Sequence, residues 1–286
     1  MAADGIIDVW DASTFDQGLL ERLTAHTDTI VDYYARDHAI FLEHELGRGA
    51  GRSILRPDNR HAAAFIALKE GLMADMAERT IRAWHYTRLT DSEVAALQAD
   101  GPHLSTVERL RARVDALAAS GALQAASVEV IWAASPLHSD QHDARSGKFW
   151  MVSHPAAVTD GGVRPLLSHW GGEVANMRLD DEDLLARLAA IGKARVIEVG
   201  APLAATRHAY STAEGVVATF ARANGAIPEK HAFDLYARTA LPPTAILAVH
   251  TEGEGTFATI GRGYPSAYVD VALGRWKELT GEDDDA

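Results

Sequence analysis

The chain of 286 residues contains no cysteine. That absence excludes disulfides, thiolate nucleophiles, cysteine-bound zinc and iron–sulfur clusters. Positive charge is also short: 27 basic residues stand against 40 acidic ones, a net of −13. Such a balance disfavours a general electrostatic grip on a phosphate backbone, although it leaves room for a local basic patch. No apolar run is long enough to span a bilayer, and the start, MAADGIIDVW, lacks a basic n-region and a long apolar h-region. The expectation is a soluble, cytoplasmic protein with no membrane partner. Also missing are G-x-G-x-x-G, G-x-x-x-x-G-K-[ST] and H-E-x-x-H, which removes the commonest nucleotide-fold and zinc-hydrolase readings. The apolar content, 47%, supports a sizeable core and argues against disorder.

The residues that are present divide the chain into helices first and strands later. From Asp16 to Leu46 the apolar positions Leu19, Leu23, Ile30, Tyr34 and Phe41 keep helical spacing, and Gly47 to Gly51 end the run. A second helix follows Pro57-Asp58, with Phe65, Ile66, Leu72, Met73 and Met76 as its stripe. Ile81 to Tyr86 reads as a buried strand. Thr90 and Glu93 form a capping box, Val94 and Leu97 face inward, and Asp100-Gly101-Pro102 stops the helix. A third helix spans Thr106 to Ala119 with Ser105 and Glu108 as its capping box. Leu123 to Ala134 is ambiguous, and helix is preferred. A polar loop, Pro136 to Gly147, leads into a strand from Lys148 to Ser153. Asp180 to Ile191 predicts a helix stopped by Gly192, then Ala194 to Val199 a strand, and Ser211 with Glu214 cap a helix ending at Asn224-Gly225. Phe233 to Arg238, Ile246 to His250 and Thr256 to Ile260 read as strands. Short strands broken by irregularly spaced helices predict an α+β fold. The expected divisions are a helical region over 1–80, an α+β domain over 81–278 and an acidic tail over 279–286.

The stretch His85-Tyr86-Thr87 at a strand end, followed by a capped helix, a glycine and His103-Leu104-Ser105, resembles the first strand and helix of the ADP-ribosyltransferase superfamily. The similarity is to the histidine-type branch, which includes poly-ADP-ribose polymerases and several bacterial toxins. It covers Trp84 to Ser105, with Lys148 to Ser153 as a second core strand. The resemblance implies a split mixed β-sheet core and NAD as substrate. It further implies that His85 hydrogen-bonds an NAD ribose hydroxyl while backbone groups beside it, at Tyr86 and Thr87, hold the nicotinamide amide.

Breaking a nicotinamide–ribose bond develops oxocarbenium character, so such a site needs a carboxylate. Glu173 follows a Trp-Gly-Gly turn, Glu198 lies in an apolar strand, and Glu252 with Glu254 forms an E-x-E similar to the paired glutamates of arginine-directed members. His85, Glu173 and Glu254 are the catalytic candidates. Tyr86, Phe149, Trp150 and Trp170 supply aromatic faces, and Arg145 a guanidinium for the pyrophosphate. The sequence departs from the family pattern in having no identifiable second-strand tyrosine and no unique final-strand glutamate. Plainer roles stay open: His85 bonded to a backbone carbonyl, Glu252-Gly253-Glu254 as an acidic turn, the tryptophans as core or lid. His138, Asp140, His142 and Asp143, with His154 and His169, offer ligands for zinc or iron but match no metal spacing, so no metal site is assigned. His38 and His44 read as surface or helix-contact residues. The expected activity is release of nicotinamide from NAD and transfer of ADP-ribose to an acceptor, which is protein, nucleic acid or a small molecule, in a toxin or defence effector. The alternatives are a binding module whose N-terminal helices contact a partner or another subunit, and a metal-dependent hydrolase using the 138–143 loop.

Overall fold

Inward and outward side chains along Thr80–Leu89 build the central strand. The computed structural model describes residues 5–41, 55–228 and 232–264. The strands are β1 (Ile6–Ile7), β2 (Thr80–Leu89), β3 (Phe149–Val152), β4 (Lys193–Pro202), β5 (Asp234–Ala237) and β6 (Ile246–Thr251). They form one mixed sheet in the order β5-β3-β2-β4-β6, antiparallel throughout except for β1, which runs parallel to β2. The helices are α1 (Gln17–Ala25), α2 (Thr27–Phe41), α3 (Ala62–Ala77), α4 (Asp91–Asp100), α5 (Val107–Ala119), α6 (Ala125–Ala134), α7 (His142–Arg145), α8 (Arg164–Ser168), α9 (Glu173–Asn176), α10 (Glu182–Ala190), α11 (Ala209–Ala223) and α12 (Gly255–Ala258). The fold is α+β.

The two neighbours of β2 treat it differently. β4 pairs along its whole length, from Thr80↔Pro202 to Leu89↔Lys193. β3 meets it at a single register pair, Trp84↔Val152. Beyond that pair the strands part, because β3's upstream edge bonds the chain around Ser105: Ser105 N donates to Lys148 O at 2.9 Å and Gly147 N to Ser105 O at 2.8 Å. The result is a fork in the sheet. This fork positions the site described below.

One face of the sheet is covered by α1, α2, α3 and α11, and Ile7, Leu19, Leu72, Ile81, Val199 and Val216 belong to one continuous cluster. The described residues among the first 80 therefore share a core with the sheet. A second cluster joins α5, α6 and α10 around Trp170, and a third lies on the opposite sheet face around Trp84, Tyr86, Val163 and Phe257.

Several boundaries differ from the sequence reading for local reasons. The helix expected from Asp16 breaks at His26, whose N–H bonds Leu23 O and Thr24 O, while the Thr27 hydroxyl donates to Thr24 O at 2.9 Å. Side-chain bonds of this kind compete with the helical ladder. Its end beyond Phe41, the glycines at 47–51, His44 and the tail at 279–286 lie outside the described residues. The strand expected over Thr256 to Ile260 is instead the short helix α12, begun at Glu254. The segment Ala125–Ala134 is helical, as preferred. The cap of α5 is Thr106, one residue later than expected, and α11 starts at Ala209, which places Ser211 inside it and leaves Glu214 to pair with Lys69 at 2.9 Å. Finally, β2 runs on to Leu89, so His85 sits within the strand and not near its end.

Candidate functional site

His85 stands at the fork. Its Nδ1 lies 2.7 Å from the carbonyl oxygen of Trp150 on β3. A carbonyl only accepts, so Nδ1 carries the proton and donates, and in the neutral ring Nε2 is left as an acceptor. Burial pulls the imidazole pKa down to about 4; the Trp150 bond opposes this, and the Arg113 charge adds to it. The ring is thus neutral near pH 7, packed against Phe149 with ring centroids 4.5 Å apart.

The backbone beside it is open. In a strand, successive residues turn their N–H and C=O to opposite edges. Arg88 O points away from β4 and accepts from Gly171 N at 3.1 Å, so Tyr86, two residues earlier, turns its backbone groups to the same side. There the next register pair, Tyr86 with Trp150, is not made. The imidazole of His85 bonds the Trp150 carbonyl, and the Tyr86 amide edge faces into the fork.

A cavity of about 720 Å³ occupies the fork, lined by His85, Tyr86, Thr87, Arg113, Glu173 and Asp234 among others. That volume lies in the range of small-molecule sites. One wall is set by the α4 cap. Glu93, whose carboxylate bonds Thr90 N, also takes the Arg113 Nε at 2.8 Å and the Trp170 Nε1 at 2.8 Å. Burial works to raise the Glu93 carboxyl, but Arg113 and these bonds hold it below its usual range. The opposite wall carries Arg145, which donates to Gln141 and, through Nη2, to Glu173 at 2.8 Å. Glu173 is held there by Gly171 and Gly172, whose φ values of 76° and 60° favour glycine.

Of the catalytic candidates, the cavity brings together His85 and Glu173 but not Glu254. The Glu254 carboxylate accepts from Thr251 N at 3.1 Å and organises the turn after β6. Glu252 pairs with Arg88, and Glu198 with Arg82 and His250, so neither lines the cavity. Among the proposed binding residues, Thr87, Arg145 and Trp150 line it; Trp150 is 37% exposed at the rim, its Nε1 donating to Ala144 O at 3.0 Å. Tyr86 lines it too, but its hydroxyl is committed to Ala156 O at 2.7 Å. Trp170 is fully buried and forms the middle of the second cluster, with Arg113 4.6 Å above its ring, so it presents no face to a ligand. In the 138–143 segment, His138 packs on Trp132, Asp140 bonds Arg178 and His142 bonds Asp143. Among the described residues no three His, Asp or Glu side chains converge as a metal site.

The sequence reading missed Asp234. It heads β5 in the row Trp84–Val152–Asp234, which carries it to the cavity two strands from β2. Burial raises its carboxyl, the nearby His208 opposes this, and Glu173 adds to it. Its only signal in the sequence is a single acid at the head of the expected strand, with no motif around it. Glu93 was visible only as a cap, and Arg113 as an unremarked helix cation. No protein-family model, no curated protein and no solved structure matches this chain.

Proposed function

We propose that the chain binds NAD in the fork, expels nicotinamide and transfers ADP-ribose to an acceptor, as its resemblance to ADP-ribosyltransferases implies. The observation that carries the reading is the neutral His85, with Nδ1–H tied to Trp150 O and Nε2 left as an acceptor beside the open backbone edge of Tyr86. An acceptor nitrogen suits a ribose hydroxyl, and an amide edge with both N–H and C=O suits a carboxamide. In the reaction the C1′–nicotinamide bond breaks with its electron pair passing to the leaving nicotinamide. Positive charge develops on the ribose, and a carboxylate stabilises it. Two carboxylates are available. Glu173 is engaged by Arg145, whereas Asp234 makes no side-chain hydrogen bond or ion pair among the described residues, so Asp234 takes the catalytic role and Glu173 positions the arginine for the pyrophosphate.

The test is release of nicotinamide from NAD by the full chain. His85→Ala and Asp234→Asn are each expected to lower kcat about 100-fold or more. Glu173→Gln is expected to act mainly on KM, through Arg145. NAD left intact by the wild-type chain with every acceptor offered sinks the enzymatic reading, and binding of NAD by calorimetry without turnover turns it into that of a binding module.

A further inference from the structure

The cavity does not end at its rim. From it a ledge runs outward along β3 and β5, which alternate so that Leu235 and Ala237 are buried while Asp234 and Tyr236 face the other way. Trp150 pairs with Tyr236 across the two strands, ring centroids 4.7 Å apart and planes tilted by 57°. Lys148 Nζ lies 4.6 Å from the Tyr236 ring and 5.7 Å from the Trp150 ring. Its hydrogen bonds go to the main-chain carbonyls of Asp143 and Ala144, so no carboxylate neutralises it. His208 meets Tyr236 in a T-shaped contact, ring centroids 4.9 Å apart. Arg238 follows β5, and its N–H bonds Ala205 O at 2.9 Å, which brings the loop carrying Arg207 alongside. Both arginines are exposed, and neither pairs with a carboxylate among the described residues.

A chain of net charge −13 thus keeps one short antiparallel surface where two partly exposed aromatic rings are flanked by three cations. Rings on adjacent strands of a sheet are platforms for unstacked bases, and unpaired cations beside them meet phosphates. Resting on the NAD reading above, we infer that this ledge seats a single-stranded nucleic acid whose base is the acceptor of ADP-ribose. A ring or exocyclic base nitrogen attacks C1′, nicotinamide leaves with the bonding electrons, and the proton lost from the base passes to the Asp234 carboxylate at the inner end of the ledge. A duplex fits poorly, because its bases are already stacked and the basic area is small.

The experiment measures fluorescence anisotropy of a labelled mixed-sequence 12-nucleotide DNA with the full chain, without NAD. Binding is expected for the single strand and at least tenfold weaker for the duplex. Tyr236→Ala is expected to weaken it roughly tenfold or more by loss of one stacked base. Three phosphate contacts give a log–log salt slope of about −2, reduced in Arg238→Gln. Separate assays of nicotinamide release with water as acceptor test the NAD reading alone, so either part fails independently. The ledge is overturned if the oligonucleotide does not bind. It is also overturned if Tyr236→Ala raises KM for NAD in the water reaction, since the rings then hold adenine. Transfer of label to unfolded casein in preference to the oligonucleotide, with both present, overturns it as well.

Discussion

Two histidines are held uncharged by the fold, and they bear differently on stability and chemistry. His154 is 6% exposed, its Nε2 buried without a hydrogen-bond partner, its ring edge-on to Tyr264 at 5.0 Å. Burial lowers its pKa from 6.5 to about 4, with Asp160 opposing. Above pH 6.5 neither the native nor the unfolded chain protonates it. Below that the unfolded chain takes up a proton that the native one refuses, so stability falls as pH drops from 6.5 towards 4. At about 1.4 kcal/mol per pH unit, the loss from His154 reaches roughly 2–3 kcal/mol by pH 4.5. Urea midpoints across this range are expected to fall less steeply for His154→Phe, and an unchanged slope would refute the assignment. For His85 the same shift keeps Nε2 an acceptor, so nicotinamide release is expected to show no His85 titration between pH 6 and 8. Of the site residues, the sequence made His85 legible because it stands next to a capped helix. It could not reveal the Trp150 carbonyl that fixes its tautomer, 65 positions away.

At the scale of elements, local chemistry read well where it was self-contained. Thr90 and Glu93 form the expected capping box, and Gly101 ends α4 with φ 85°. Thr90→Ala is expected to cost about 1 kcal/mol by loss of the cap. Gly101→Ala should cost more. The left-handed backbone alone accounts for roughly 1–3 kcal/mol, and its Cβ would lie 2.1 Å from Leu241 O. Denaturant titrations that rank Thr90→Ala as the worse of the two would contradict this packing. The sequence marked the start signal and the stop signal, but not that Gly101 abuts the Leu241–Pro243 turn. The error at α12 has a similar cause. Thr256 to Ile260 favours a strand by composition, yet Glu254 begins a helical turn there and bonds back to Thr251 N.

At the scale of the whole molecule, the expected helical region over 1–80 and the sheet share one cluster that reaches from Ile7 through Met76 and Ile81 to Val216 and Ala245. A single cooperative transition is expected in urea, with tryptophan fluorescence and far-ultraviolet circular dichroism coinciding. A separate early loss of helix would show that the first 80 residues fold on their own. None of the helices among the described residues is long and apolar enough to cross a membrane.

What the sequence determined by itself is local: the presence of most helices, the Thr90–Glu93 capping box, the Gly101 stop, the α+β class and the prominence of His85, because each depends on residues a few positions apart. Ile66 and Met73, read as part of a buried stripe, are exposed. The tertiary structure decided what depends on strand order. It parted β2 from β3, exposed the Tyr86 backbone edge, excluded Glu254 and Trp170 from the cavity and brought in Asp234, Arg113 and Glu93. The reason is that pairing register, not residue type, sets which side chains meet across a sheet. Here one pair, Trp84↔Val152, is where the two strands stay joined before they part.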